Sequence, residues 1–188
     1  MSSWLGVEGS RDEYYIPQYA VLPIIKYLPK DAVIWCPFDT PNSEFVLTLR
    51  EHGFKVEHSH IITGQDFYKY ELERWDIIIS NPPFTGKADI FRRCLSFNKP
   101  FALLMACSWF NDSAPYRLFH DKDMELLLFN RRIQYHANVR IPFGSCYICH
   151  RLLPKQIVFE NLEVTKMCSR MYEEMKELKT ASQKEFCS

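Results

Sequence analysis

Asp76-Ile-Ile-Ile-Ser80 runs directly into Asn81-Pro82-Pro83-Phe84. Three consecutive isoleucines are stiff at Cβ and favour an extended backbone. The run is too short for a helix, and it leaves no polar face for water. A strand of this kind is buried on both sides, as in a parallel sheet covered by helices. The two prolines end it, because neither has an N–H to continue the ladder. The chain is therefore expected to be α/β, with a layer of helices on each face of a mostly parallel sheet.

The rest of the chain repeats this alternation. Asp31 to Cys36, Phe54 to Ser59 and Phe101 to Ala106 read as further strands. Ser43 to His52 reads as a helix with Ser43 as its cap and Gly53 as its stop. Lys87 to Phe97 reads as another, with Ala88, Phe91, Cys94 and Leu95 facing inward. Beyond residue 124 strand candidates follow closely at Glu125–Phe129, Ile133–His136, Ser145–Arg151 and Gln156–Glu160. No helix-sized segment separates them, so an antiparallel end to the sheet is expected. From Val164 the spacing turns helical: Val164, Met167, Cys168, Met171, Met175 and Leu178 form one apolar stripe. The expected division is a domain over residues 1–163 and an amphipathic helix with a frayed tail over 164–188. That stripe packs on its own domain, or forms a homodimer or partner contact.

The 188 residues suit one domain with a substantial core. Net charge is zero, so no global field attracts a polyanion, and a nucleic-acid contact would have to be local. Arg131-Arg132 is one candidate for such a patch, although paired surface arginines are more often merely solvated. No apolar run reaches membrane-spanning length. The stretch MSSWLGVEGSRDE has no basic start followed by an apolar core, so it does not read as a signal peptide. Seven cysteines at irregular spacing suggest a reducing compartment and core thiols. Cys146-Tyr-Ile-Cys149-His150 matches a haem-attachment pattern, but it lies in a strand-like stretch, and no second ligand pair accompanies it for zinc. No metal site is expected.

Ligands of open parallel sheets bind beyond the carboxyl ends of strands, where the strand order reverses. Cys36-Pro37-Phe38-Asp39 and Asn81-Pro82-Pro83-Phe84 both stand at such ends, and Asp66-Phe67 lies in the loop between their strands. Asparagine is neither a base nor a nucleophile, but its side-chain oxygen is a directional acceptor. A conjugated exocyclic amine has a delocalised, weakly nucleophilic lone pair. Two acceptors on its two hydrogens, the Asn81 oxygen and the Pro82 carbonyl, would localise that pair. Pro83 stiffens the loop, and Phe84 offers a face for a planar substrate. The plainer reading is a turn that follows a buried strand.

Asn-Pro-Pro-Phe after a strand resembles the catalytic motif of S-adenosylmethionine-dependent amino-group methyltransferases, in particular small Dam-like adenine-N6 enzymes of phages and mobile elements. Asp12-Glu-Tyr-Tyr-Ile-Pro-Gln-Tyr-Ala-Val21 is similar to their N-terminal cofactor motif. Trp35-Cys-Pro-Phe-Asp39 stands where their first cofactor loop belongs, and His60-Ile-Ile-Thr-Gly-Gln-Asp-Phe67 resembles the segment that holds the cofactor's adenine. Arg131-Arg-Ile-Gln-Tyr135 looks like the later strand that shapes the base pocket. The resemblance, over roughly residues 12 to 160, implies a Rossmann-like class I methyltransferase fold. It implies that Asn81 and Pro82 accept from the target amine, Pro83 shapes the loop and Phe84 stacks on a flipped base. It further implies that Asp66 accepts from the cofactor's adenine amine with Phe67 against its ring. Tyr15 and Pro17 would line the methionine end, and Cys36, Pro37, Phe38 and Asp39 the middle. Arg131 and Arg132 would meet phosphates. DNA is the favoured substrate, in the cytoplasm of a bacterial host.

The chain departs from the family at three places. Cys36 to Ser43 contains no glycine, His60 stands where an aspartate is usual, and Ile16 replaces a common threonine. An RNA adenine target is the second choice of substrate. A methyltransferase fold of weak or no catalysis, retained to bind a host protein or nucleic acid, is the alternative from another class.

Overall fold

The computed structural model describes residues 16–135 and 143–163. Within them, seven strands form one mixed sheet: β1 (Val33–Cys36), β2 (Lys55–His58), β3 (Ile77–Ser80), β4 (Phe101–Ala106), β5 (Glu125–Phe129), β6 (Ser145–His150) and β7 (Ile157–Glu160). Their spatial order is β2-β1-β3-β4-β6-β5-β7. β1 pairs in parallel with β2 and β3, β3 with β4, and β5 with β7. β6 runs antiparallel to both of its neighbours, β4 and β5. Six strands therefore point one way and β6 points back. This is the expected α/β architecture with a mostly parallel sheet, and it is compatible with a Rossmann-like fold. The irregular end of the sheet comes from one reversed strand placed between two forward ones.

The two faces are separately packed. Ile34, Cys36, Ile77, Ile79, Ala102 and Leu104 point to the face covered by α1 (Gln18–Ile25) and α2 (Glu44–Glu51). Trp35, Ile78, Phe101, Leu103 and Met105 point to the other, under α3 (Lys87–Ser96) and α4 (Ser113–Phe119). The isoleucine run of β3 thus serves both cores at once, as its composition demands. Each strand begins and ends within a residue or two of the expected bounds. α2 stops at Gly53, whose φ of +85° turns the chain left-handed. The Gly53 N–H donates to the Arg50 carbonyl at 2.9 Å and the Phe54 N–H to that of Leu49 at 3.1 Å. That pair of bonds satisfies carbonyls that the helix end would leave open.

Three expectations need adjustment. Ile133 to Tyr135 is not a strand: Ile133 and Tyr135 are buried as anchors of a loop. Residues 107–124, for which periodicity gave no assignment, hold a short 3-10 turn (Cys107–Asn111) and α4. α1 occupies part of the segment read only as a cofactor motif. The apolar stripe from Val164, Tyr15 and His136 lie outside the described residues. No helix among the described residues is long and apolar enough to cross a membrane.

Candidate active site

The strand order reverses between β1 and β3: β2 lies outward of β1 on one side, and β4 outward of β3 on the other. A crevice at the carboxyl ends of these two strands is the expected ligand position of such a sheet. Cys36 to Asp39 leaves one lip of it, and Asn81 to Phe84 leaves the other. Neighbours separated by some forty residues of sequence thus meet because β1 and β3 pair directly, Ile34 against Ile77 and Trp35 against Ile78.

Asp39 joins the two lips. Its carboxylate accepts hydrogen bonds from the Ser43 and Ser80 hydroxyls, one on each oxygen. Ser43 opens α2, and its hydroxyl reaches Asp39 instead of capping the helix. Ser80 is the last residue of β3 and is fully buried. Asp39 is itself 6% exposed. Burial pushes its carboxyl up to about 6, against the lowering effect of the two serine bonds. Its backbone N–H donates to the Ser59 carbonyl at 3.2 Å, and the Ser59 N–H to the Cys36 carbonyl at 3.1 Å. The Trp35 indole donates to the Ser59 hydroxyl at 2.9 Å. The loop without glycine is therefore held by side-chain and backbone bonds together. The Cys36 thiol points into the core, where burial raises it well above its ordinary value, and Pro37 is buried beside it.

Asn81 and Phe84 are half-buried, Pro82 is buried and Pro83 exposed. Among the described residues, neither the Asn81 side-chain amide nor the Pro82 carbonyl is engaged in a hydrogen bond. Phe84 meets Phe143 edge to face, with ring centroids 6.2 Å apart. The Lys87 ammonium lies 5.6 Å from the Phe84 centroid. Gly86 turns the chain into α3 with a φ of +69°. The Tyr68 ring closes over this turn and its hydroxyl reaches the Gly86 carbonyl at 3.5 Å.

Tyr68 belongs to the loop that carries Asp66 and Phe67, so the third expected segment adjoins the other two. Asp66 is half-buried and accepts from the Tyr68 N–H at 3.0 Å; its other oxygen lies 3.8 Å from the Lys69 ammonium. Phe67 is only 4% exposed. It packs 5.5 Å from Trp35 and 4.7 Å from Phe38, with the Arg93 guanidinium 5.5 Å from its ring. Phe67 is a core residue, and Phe38 beside it is half-buried. The His60 imidazole accepts from the Ile62 N–H at 3.1 Å and caps the short turn Ile61–Thr63.

Pro17 is half-buried at the start of α1. Arg131 and Arg132 are exposed just past β5. β5 runs in the same direction as β3, so both arginines stand at the same end of the sheet as Asn81. They lie three strands over, roughly 15 Å at the usual strand spacing. Cys146 and Cys149 sit three apart on β6 and contribute to opposite cores. Two thiols on opposite faces of one strand cannot converge on a single haem or metal.

The sequence reading missed Ser59, Ser80 and Phe143, and it took Ser43 for a helix cap where its hydroxyl bonds Asp39. A serine directly before Asn-Pro-Pro was the one available signal for Ser80. Neither a family model nor a curated protein matches this chain.

Proposed function

We propose that the chain is an S-adenosylmethionine-dependent methyltransferase acting on the N6 amine of adenine in nucleic acid, DNA in the first place. One observation carries the reading. Two acceptors without a hydrogen bond among the described residues, the Asn81 amide oxygen and the Pro82 carbonyl, follow β3 at the switch point of a doubly wound sheet, beside the half-buried ring of Phe84. This pair can accept from both hydrogens of one amine and localise its lone pair. Fixed acceptors act by position and electrostatics and do not have to remove a proton. The amine becomes strongly acidic only once alkylated, so a weak acceptor suffices.

In this reading the loops after β1 and β3 and the Asp66 loop would hold the cofactor. Half-buried Phe38, which packs on Phe67, would supply an aromatic surface, and half-buried Asp66 would retain acceptor capacity in the loop that carries Phe67. Pro17, at the start of α1, would border the methionine end. S-adenosylmethionine, when bound, supplies an electrophilic methyl group on a sulfonium sulfur. The chain's own part is to orient the amine through Asn81 and Pro82, hold the ring against Phe84 and keep water from the junction.

The test is transfer of tritiated methyl groups onto DNA, RNA and protein in parallel, with digestion of the labelled product. Label on adenine N6 of DNA is expected, and Asn81→Ala should reduce it by at least about a hundredfold while cofactor affinity changes little. Equal turnover by the variant would remove Asn81 from its role. Label on RNA adenine would move the substrate and keep the chemistry.

The reading as a binding module of weak or no catalysis draws on a different observation. Both Asp39 oxygens are occupied by serines, and His60 is turned to its own loop. Calorimetry with S-adenosylmethionine separates the two, since the absence of binding at about millimolar cofactor would favour the module.

A further inference from the structure

We propose that Asp39 is a positioning residue, which ties the loop after β1 to the loop after β3 and sets the direction in which Asn81 points. A buried carboxylate with a hydroxyl on each oxygen is a short, stiff bridge. One arm ends on Ser43, the first residue before α2, and the other on Ser80, the residue directly before Asn81. The β1 loop is fixed in turn by Ser59, Trp35 and Cys36. Asn81 itself has no bond among the described residues that would orient it, so its orientation is inherited from Ser80. A side chain that must aim an acceptor at one hydrogen of an amine needs such a support.

The bridge also responds to protons. Ionised Asp39 accepts from both serines. Once protonated it becomes a donor on one oxygen, and one serine must turn or let go. Among the described residues, the Cys36 thiol from β1 and the Tyr147 phenol from β6 face it, both buried and held neutral, with the Arg50 guanidinium of α2 acting on Cys36 and His58 and His60 flanking Ser59 on the β2 side. The hydroxyls come from α2 and β3, and no cation from these elements bonds the carboxylate. Its titration lies near pH 6, and because His58 and His60 flank the Ser59 that bonds the Asp39 backbone, the Asp39→Asn variant is what assigns a transition there to Asp39.

The kinetic arm of the test rests on the methyltransfer reading, and the spectroscopic arm does not. In amide-resolved NMR between about pH 4.5 and about pH 8, the Asn81 side-chain NH2 and the Ser43 backbone amide should both shift with a midpoint near 6. Asp39→Asn should flatten both. Ser80→Ala should flatten Asn81 alone, because it cuts one arm and leaves Ser43 attached. In turnover, Ser80→Ala should lower kcat about tenfold with KM for nucleic acid nearly unchanged. The wild type should lose kcat below a midpoint near 6, a limb absent from Asp39→Asn. Asn81 signals that stay flat in the wild type, or that still follow pH in Ser80→Ala, overturn the bridge. Titration as described in a protein that transfers no methyl group would keep the bridge and sink the methyltransferase.

Discussion

At the scale of single residues, Asp39 sets function against stability. Its carboxyl rises from 3.8 to about 6 because the ionised form is desolvated and two serine bonds do not fully compensate. A folded value above the unfolded one favours the fold below the unfolded value, and that contribution is lost as pH rises through about 6. Above neutrality, wild type therefore carries a penalty on the order of 3 kcal/mol relative to a neutral group of the same shape. Asp39→Asn removes the charge and can still accept from one serine while donating to the other. In urea titrations at about pH 8 the variant should be the more stable protein, and the gap should narrow as pH falls through about 6 and close near 3.8. Greater stability with lower kcat is the pattern of a group retained for function. A variant less stable than wild type at high pH would mean that Asp39 is a structural bond and nothing more.

At the scale of elements, the loop from Asn81 to Gly86 is held at both ends. Ser80 anchors its start through Asp39, and Gly86 directs its end into α3 with Tyr68 above it. An added Cβ at Gly86 would stand 2.9 Å from the Tyr68 hydroxyl, and the left-handed φ of +69° would strain any side chain. The hydroxyl is the tip of an exposed ring and can swing aside. The backbone strain cannot be relieved in the same way, so Gly86→Ala should cost roughly 1–2 kcal/mol in unfolding free energy. A cost near zero would show the turn to be free to relax. These elements differed in how far the sequence announced them. The Ile77–Ser80 strand, its proline stop and the Gly53 helix end follow from side-chain sterics within a few residues, so they could be read directly. The bond between Asp39 and Ser80 spans 41 residues and exists only because β1 lies beside β3. The same holds for Phe143 against Phe84. Reversal of β6 was legible only as a change of texture, since strand direction is decided by connections and not by residue type. Phe67 has a packing that the sequence did not announce. Its neighbours in sequence resemble a cofactor loop, while its ring belongs to the Trp35 and Phe38 cluster.

At the scale of the whole molecule, zero net charge means that any affinity for a polyanion comes from where cations are placed. The sheet brings Lys87, Arg131 and Arg132 to the end at which Asn81 emerges, although 44 to 45 positions separate the lysine from the arginines in sequence. Lys87 stands beside the Phe84 ring and the arginines three strands away, roughly 15 Å; under the proposed function that spacing would let them meet phosphates flanking a nucleotide at Phe84. Each phosphate contact on duplex DNA contributes about 0.9 to the slope of log affinity against log salt, and about 0.7 on a single strand. Replacing both arginines by alanine should therefore lower the slope by nearly two on duplex and by somewhat less on single strands, with binding weakened alike for all sequences. Fluorescence anisotropy over a salt series measures this without any turnover. A slope that does not change would place the nucleic acid on another part of the surface. A slope that falls by only one would leave a single arginine in contact, and the single variants would identify it.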